Sequence, residues 1–231
     1  MAKIELEVPT SLESITLGQY QRYIKIVDQN EGDEYTDFTN KKLIEIFCNV
    51  NLNDVEKIPV VEFNKVLKII EEAFSKKYNL TRHFTLGGVE MGFIPNLEEM
   101  SLGEYVDVEA TISDWQDIHK AMAVLYRPVN FKSKDKYTIA PYKPNDEIRM
   151  WMKEMPLSVV MGAMVFFYNL GIELSRASLV YLEKELRKIP QTSPLHQTLE
   201  RNGVGIAQFM DSLRETSQNL TKLHQNRYLS V

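Results

Sequence analysis

The feature that most constrains this chain is that it contains a second copy of part of itself. Val8-Pro9 leads through Leu12-Glu13 and Ile15 to Thr16-Leu17-Gly18-Gln19-Tyr20, and Ile94-Pro95 leads through Leu97-Glu98 and Met100 to Ser101-Leu102-Gly103-Glu104-Tyr105. A repeat sets the architecture before any single element is assigned. Both strings carry a capping box, Thr16 with Gln19 and Ser101 with Glu104. In each, the hydroxyl accepts from a backbone N–H three residues on and the longer side chain reaches back to the cap. Each string therefore predicts a helix start, with Ile15 and Met100 placed to close hydrophobic staples onto Tyr20 and Tyr105.

The flanking residues extend the match. Ile4, Leu6 and Val8 alternate with acidic residues and predict a half-buried strand ending at Pro9. Val89, Met91 and Phe93 repeat the alternation before Pro95, and Gly87-Gly88 between Phe84-Thr85-Leu86 and that run predicts a tight hairpin. Lys42-Leu43-Ile44-Glu45-Ile46-Phe47 resembles Lys120-Ala121-Met122-Ala123-Val124-Leu125-Tyr126. Glu56-Lys57-Ile58-Pro59 runs into a helix over 61–74 as Lys153-Glu154-Met155-Pro156 runs into one over 157–170, with proline at each start, where its missing N–H costs nothing. The expected fold is mainly α with small β-hairpins, an α+β chain. A first helical unit spans 3–81, a second spans 82–171, and a C-terminal helical extension covers 172–231.

The copies differ by an insertion over 128–144, in which Val129-Asn130-Phe131 and Tyr137-Thr138-Ile139 flank a lysine-rich turn. It reads either as a projecting hairpin presenting Phe131, Tyr137 and Tyr142 to a partner, or as a solvated loop. In the extension, Ile206, Phe209, Met210, Leu213, Leu220 and Leu223 form a narrow apolar stripe. The stripe either folds back on the body or, as we favour, meets a neighbouring subunit. Phe131, Tyr137, Tyr142, Phe209, Met210, Leu213, Leu220 and Leu223 are thus the candidate protein-contact residues.

Chemistry is harder to find. Of 231 residues 44% are hydrophobic and 26% charged, the composition of an ordinary globular protein. A single cysteine, Cys48, excludes an internal disulfide and multi-cysteine metal sites. A net charge of −5 argues against broad attraction to nucleic acid, with Lys132, Lys134 and Lys136, interrupted by Asp135, the best local basic candidate. No export signal or membrane-spanning run is expected. His83, His119, His196 and His224 lack the spacing that puts zinc ligands on one helical face, and Gly203-Val204-Gly205 lacks the rest of a phosphate loop. His119, beside Asp117, reads as a hydrogen-bonded boundary histidine rather than a base. Met150, Met152, Met155, Met161 and Met164 cluster near Trp151, as an irregular core or an adaptable surface. No catalytic residue, cofactor site or metal site is expected.

The run Phe93-Ile94-Pro95-Asn96-Leu97-Glu98-Glu99-Met100-Ser101-Leu102-Gly103-Glu104-Tyr105, with Asp114-Trp115-Gln116 and His119-Lys120-Ala121-Met122-Ala123-Val124-Leu125-Tyr126-Arg127-Pro128, resembles a family of tailed-bacteriophage proteins of the virion and tail-morphogenesis module. Crass-like gut phages and large marine phages carry such proteins. Thr16-Leu17-Gly18-Gln19-Tyr20 and Glu45-Ile46-Phe47-Cys48 resemble the same family. The resemblance implies a non-enzymatic structural or cargo protein near the portal and tail, or alternatively a tail assembly chaperone not retained in the particle. It further implies other virion proteins as partners; further copies of the chain are expected from the C-terminal stripe, nucleic acid is not expected from the net charge, and no membrane is expected as a stable component. The implied location is the virion, reached through the host cytoplasm during assembly.

Overall fold

A computed structural model describes residues 6–30, 36–134 and 136–188. The chain forms two compact bodies that divide between Ala163 and Met164. The first body holds most of the described elements and is α+β, with helices and a small antiparallel sheet.

Helix α1 (Leu17–Gln29) begins as its sequence predicts: Thr16 Oγ1 accepts from the Gln19 N–H at 3.2 Å, and Gln19 Oε1 accepts from the Thr16 N–H at 2.8 Å. Helix α2 (Thr36–Phe47) ends where Asn49 takes the left-handed conformation at φ 51°, a role asparagine fills with little strain. A short helix α3 (Leu52–Val55) leads to Pro59, and helix α4 (Val60–Phe74) follows. Val66, Ile70 and Ala73, spaced along one α4 face, are buried. The aromatic rings of Tyr20 and Phe47 each lie 5.8 Å from that of Phe74, which closes this part of the core.

Strands β1 (His83–Leu86) and β2 (Val89–Phe93) form the expected hairpin. Gly87 and Gly88 have φ of 52° and 83°, the two left-handed residues that a twist-matched two-residue turn demands. Gly87 is doubly constrained, because a Cβ there would stand 3.0 Å from the Trp151 ring. The alternation around Leu6 and Val8 does not become a strand: described residues 6–9 have no regular structure, and Leu6 and Val8 are half-buried. Alternation alone supplies no neighbour for a hydrogen-bonded ladder.

Helix α5 (Leu102–Thr111) starts at the second capping box, with Ser101 Oγ accepting from the Glu104 N–H and Glu104 Oε2 accepting from the Ser101 N–H at 2.7 Å. Helix α6 (Ile118–Leu125) follows and is almost wholly buried. Helix α5 lies against α6 as α1 lies against α2. Replacing Thr16 or Ser101 by Ala is expected to cost about 1 kcal/mol each, read as a lower urea midpoint at unchanged slope.

The inserted segment joins the sheet instead of projecting from the body. Strand β3 (Tyr126–Ser133) starts inside the preceding helical pattern and pairs with β2 through Met91–Pro128, Gly92–Arg127 and Phe93–Tyr126. Strand β4 (Lys136–Ile139) completes the order β1-β2-β3-β4. Gly92 permits the close approach, since a Cβ there would lie 2.9 Å from both the Tyr137 ring and a Val129 methyl.

Helix α7 (Asp146–Trp151), capped by Asn145, passes through a tight turn at Met152–Glu154 into helix α8 (Leu157–Lys188). Met152 and Met155 are fully buried while Met150 is exposed, so the methionine cluster is divided between core and surface. Helix α8 runs unbroken through Gly171, where the sequence suggested a boundary. A lone interior glycine costs a helix only about 1 kcal/mol, too little to end it without a further stop signal. In the second body, Phe166 and Phe167 meet edge to face at 5.3 Å. No described helix is long and apolar enough to cross a membrane.

Candidate functional site

The two capped helices begin with the same residues and end in opposite environments. In α1, Leu17 and Tyr20 are buried at 0% and 3% exposure. Their counterparts in α5, Leu102 and Tyr105, are 78% and 53% exposed, and Val106 is 50% exposed. Spaced i, i+3 and i+4, these three side chains form an apolar stripe on the outer face of α5. Tyr105 is therefore not folded away beneath a staple. Val60 and Val61, at the first turn of α4, are 74% and 66% exposed.

The inner face of α5 is fixed by charge. Glu104 Oε1 accepts from Arg127 at 2.7 Å, and both side chains are nearly buried. Burial pushes the Glu104 carboxyl up, but the Ser101 hydroxyl and N–H and the Arg127 guanidinium outweigh it and hold the group below its ordinary value. One turn on, Asp107 accepts from Arg149 at 3.0 Å and from the Tyr142 hydroxyl. Burial and the bond to Asp107 both push the Tyr142 hydroxyl pKa up. With its inner face anchored, α5 presents its apolar stripe outward.

Of the aromatic residues expected to face a partner, Phe131 is 64% exposed near the tip of the β3–β4 hairpin. Tyr137 and Tyr142 are less open, for both are half-buried and engaged within the chain. The Tyr137 hydroxyl donates to the Phe93 carbonyl at 2.5 Å, and its ring meets His83 at 4.3 Å. Tyr142 is held by Asp107 and Arg149. Phe209, Met210, Leu213, Leu220 and Leu223 lie outside the described residues. Leu102 and Tyr105 escaped the sequence reading because their counterparts Leu17 and Tyr20 are the same residue types at the same spacing, and only burial separates them; Val106, Val60 and Val61 differ from their counterparts Gln21, Leu157 and Ser158, but type alone did not reveal their exposure.

An open cleft of about 670 Å³ runs beside the start of α1, lined by Thr16, Gln19, Gln21, Arg22, Lys153 and Glu154 among others. Its polar groups are largely committed to structure. Gln19 donates to the Ile46 carbonyl at 2.8 Å, and Gln21 to the Trp115 carbonyl at 2.8 Å. Gln21 Nε2 also lies 3.2 Å from Nδ1 of His119, which is 4% exposed. Burial pushes the His119 pKa down, helped by the charges of Lys153 and Lys120 and opposed by Asp117. Among the described residues no group of acidic, histidine or cysteine side chains could hold a metal ion.

The depressed His119 has a pH consequence with a definite sign. Its neutral form is the folded form, so its contribution is complete above the ordinary value of 6.5 and is lost as pH falls below it. His119→Gln is expected to reduce the loss of stability on acidification below that value, by a slope that cannot exceed about 1.4 kcal/mol per pH unit. Urea titrations at a series of pH values would measure this, and an unchanged slope would mean that His119 is protonated in the folded chain.

Comparison with protein-family models, with curated proteins and with solved structures gave no match.

Proposed function

We propose that the chain is a non-enzymatic bacteriophage virion protein, structural or cargo, of the portal and tail region, which works through protein–protein contacts. The observation that carries the protein-contact reading is the outward stripe of Leu102, Tyr105 and Val106 on a helix whose inner face is pinned by ion pairs. Exposed apolar side chains gathered on one face of a helix favour a partner more than isolated ones do. The phage setting comes from the family resemblance of the 93–128 run. In support of a non-catalytic role, Gln19, Gln21, Glu104 and His119 are each engaged in holding helix ends and loops together.

Mass spectrometry of purified virions tests this reading. Many copies of the chain per particle are expected. Its absence from finished particles, together with its presence beside tail proteins in infected cells, would replace the reading with that of an assembly chaperone.

A further inference from the structure

Within the first body, the segment that opens α8 is docked on the segment that opens α1. Leu17 N–H donates to the Met155 carbonyl at 3.0 Å, Leu157 N–H to the Ile15 carbonyl at 2.8 Å, and Ser158 N–H to the Leu12 carbonyl at 3.1 Å. Thr16 and Pro156 form an antiparallel bridge. Leu12, Ile15, Leu17, Met155 and Leu157 are all at most 1% exposed in this joint. Gly18 lets the strands close, because a Cβ there would stand 3.2 Å from the Lys153 carbonyl oxygen.

Every part of that joint has a sequence counterpart that is not joined to a like segment among the described residues. Ile58-Pro59-Val60-Val61 matches Met155-Pro156-Leu157-Ser158, and Leu97 through Gly103 matches Leu12 through Gly18 in the repeated string. Pro59, Val60 and Val61 are exposed on one side, and Ser101, Leu102 and Gly103 on the other. The N–H groups of Val60 and Leu102 are first-turn helix donors, which find no acceptor inside their own helices.

Gly103 adds an independent argument. A Cβ there would meet nothing within 4 Å, and its φ is not in the left-handed region. Glycine is the poorest helix former after proline, and no described residue of the chain stands close enough to require it here. An approaching backbone, such as the one Gly18 receives, does account for it. Charge agrees in sign: beyond Glu104 and Asp107, which Arg127 and Arg149 neutralise, the 97–110 stretch carries three acidic and no basic residues, whereas 56–68 carries three lysines and two glutamates, with Lys57 and Lys65 also paired to Asp54 and Glu62.

We propose that the second joint forms between two copies of this chain: the 58–61 segment of one copy docks along the start of α5 of another, as the 155–158 segment docks along the start of α1 within each chain. The proposal rests on reading the chain as a protein that acts through protein contacts, and it names the partner. In a two-fold pair, both open joints close at once, each chain giving one segment and receiving the other.

The experiment uses the full chain in sedimentation velocity over a concentration series, with Val60→Asp and Leu102→Glu as disrupting variants. Both positions are exposed first-turn sites, where an acidic residue suits the helix dipole, so folding should survive. Unchanged tryptophan fluorescence checks this. Each variant is expected to weaken self-association by about tenfold or more. A chain carrying both Pro59→Cys and Ser101→Cys is expected to cross-link between chains under oxidation, as the Thr16–Pro156 bridge implies. Cys48 competes little, being buried with its thiol pushed up to about 11. A full chain that stays monomeric, association indifferent to both variants, or a disulfide closed within one chain would each overturn the proposal. Detection in virions is a separate measurement: a monomeric chain found in particles sinks this joint alone, and a self-associating chain absent from particles sinks only the virion reading.

Discussion

Arg127→Met is expected to destabilise the first body by about 3 to 5 kcal/mol, because it removes one partner of a nearly buried ion pair and leaves Glu104 uncompensated. The methionine fills much of the arginine's volume, so the loss reflects charge and hydrogen bonding more than a cavity. Trp115 and Trp151, the only two tryptophans, both precede Ala163, so fluorescence in urea reports on this body. Two further results identify the cause. The depressed Glu104 carboxyl contributes stability above its ordinary value of 4.5 and loses it as pH falls through the lower folded value. The gap between wild type and variant should therefore be widest near neutral pH and should narrow in acid. Adding Glu104→Gln should recover part of the loss, since Gln19 fills the same cap position in α1 without a charge. A cost below about 1 kcal/mol, or no recovery in the double variant, would show that the pair is solvated and contributes as a surface pair does.

The parts of the fold legible in the sequence are those with local causes. The two capping boxes, the Gly87-Gly88 turn and the proline-led α4 and α8 each depend on residues within a few positions of one another. The missing strand near Leu6 failed for the opposite reason, since a strand exists only if a neighbour supplies its ladder. The same logic covers the insertion, whose alternation predicted a hairpin but could not reveal that Gly92 leaves room for Tyr137 and Val129 to bring it onto β2. The half-burial of Tyr137 and Tyr142 was likewise illegible, because it depends on their hydroxyls finding Phe93 and Asp107, far away in the sequence.

The candidate surface was illegible on a different ground. Leu17 and Leu102 occupy the same place in the same string, yet one is fully buried and the other is 78% exposed. What differs is which segments surround them. The start of α1 receives the 155–158 segment, and its Tyr20 ring stands edge-on to Trp115 at 5.0 Å. The start of α5 receives no comparable segment among the described residues. A duplicated chain can satisfy one copy's surfaces internally while leaving the other's open, and residue types alone do not say which copy is which.

Gly162→Val is expected to be among the most damaging substitutions in the chain, and Gly162→Ala to be harmful despite alanine's better helix propensity. An added Cβ at Gly162 would stand 2.2 Å from the Asn79 carbonyl oxygen and 2.8 Å from its carbon. These are backbone atoms, so no side-chain rotation relieves the overlap, and either α8 or the 79–80 segment must move. Alanine gains about 1 kcal/mol of helix propensity over glycine, whereas overpacking of this kind typically costs about 1 to 3 kcal/mol. A net loss is expected for alanine, and a larger one for valine, whose two methyls enlarge the clash and whose helix propensity is lower. Gly171 supplies the control, as it lies in the same helix with nothing within 4 Å of an added Cβ. Gly171→Ala should stabilise by up to about 1 kcal/mol. Thermal unfolding followed by circular dichroism would read both signs in one series. Should Gly162→Ala stabilise as Gly171→Ala does, the 79–80 segment yields freely and does not lock the start of α8 in place.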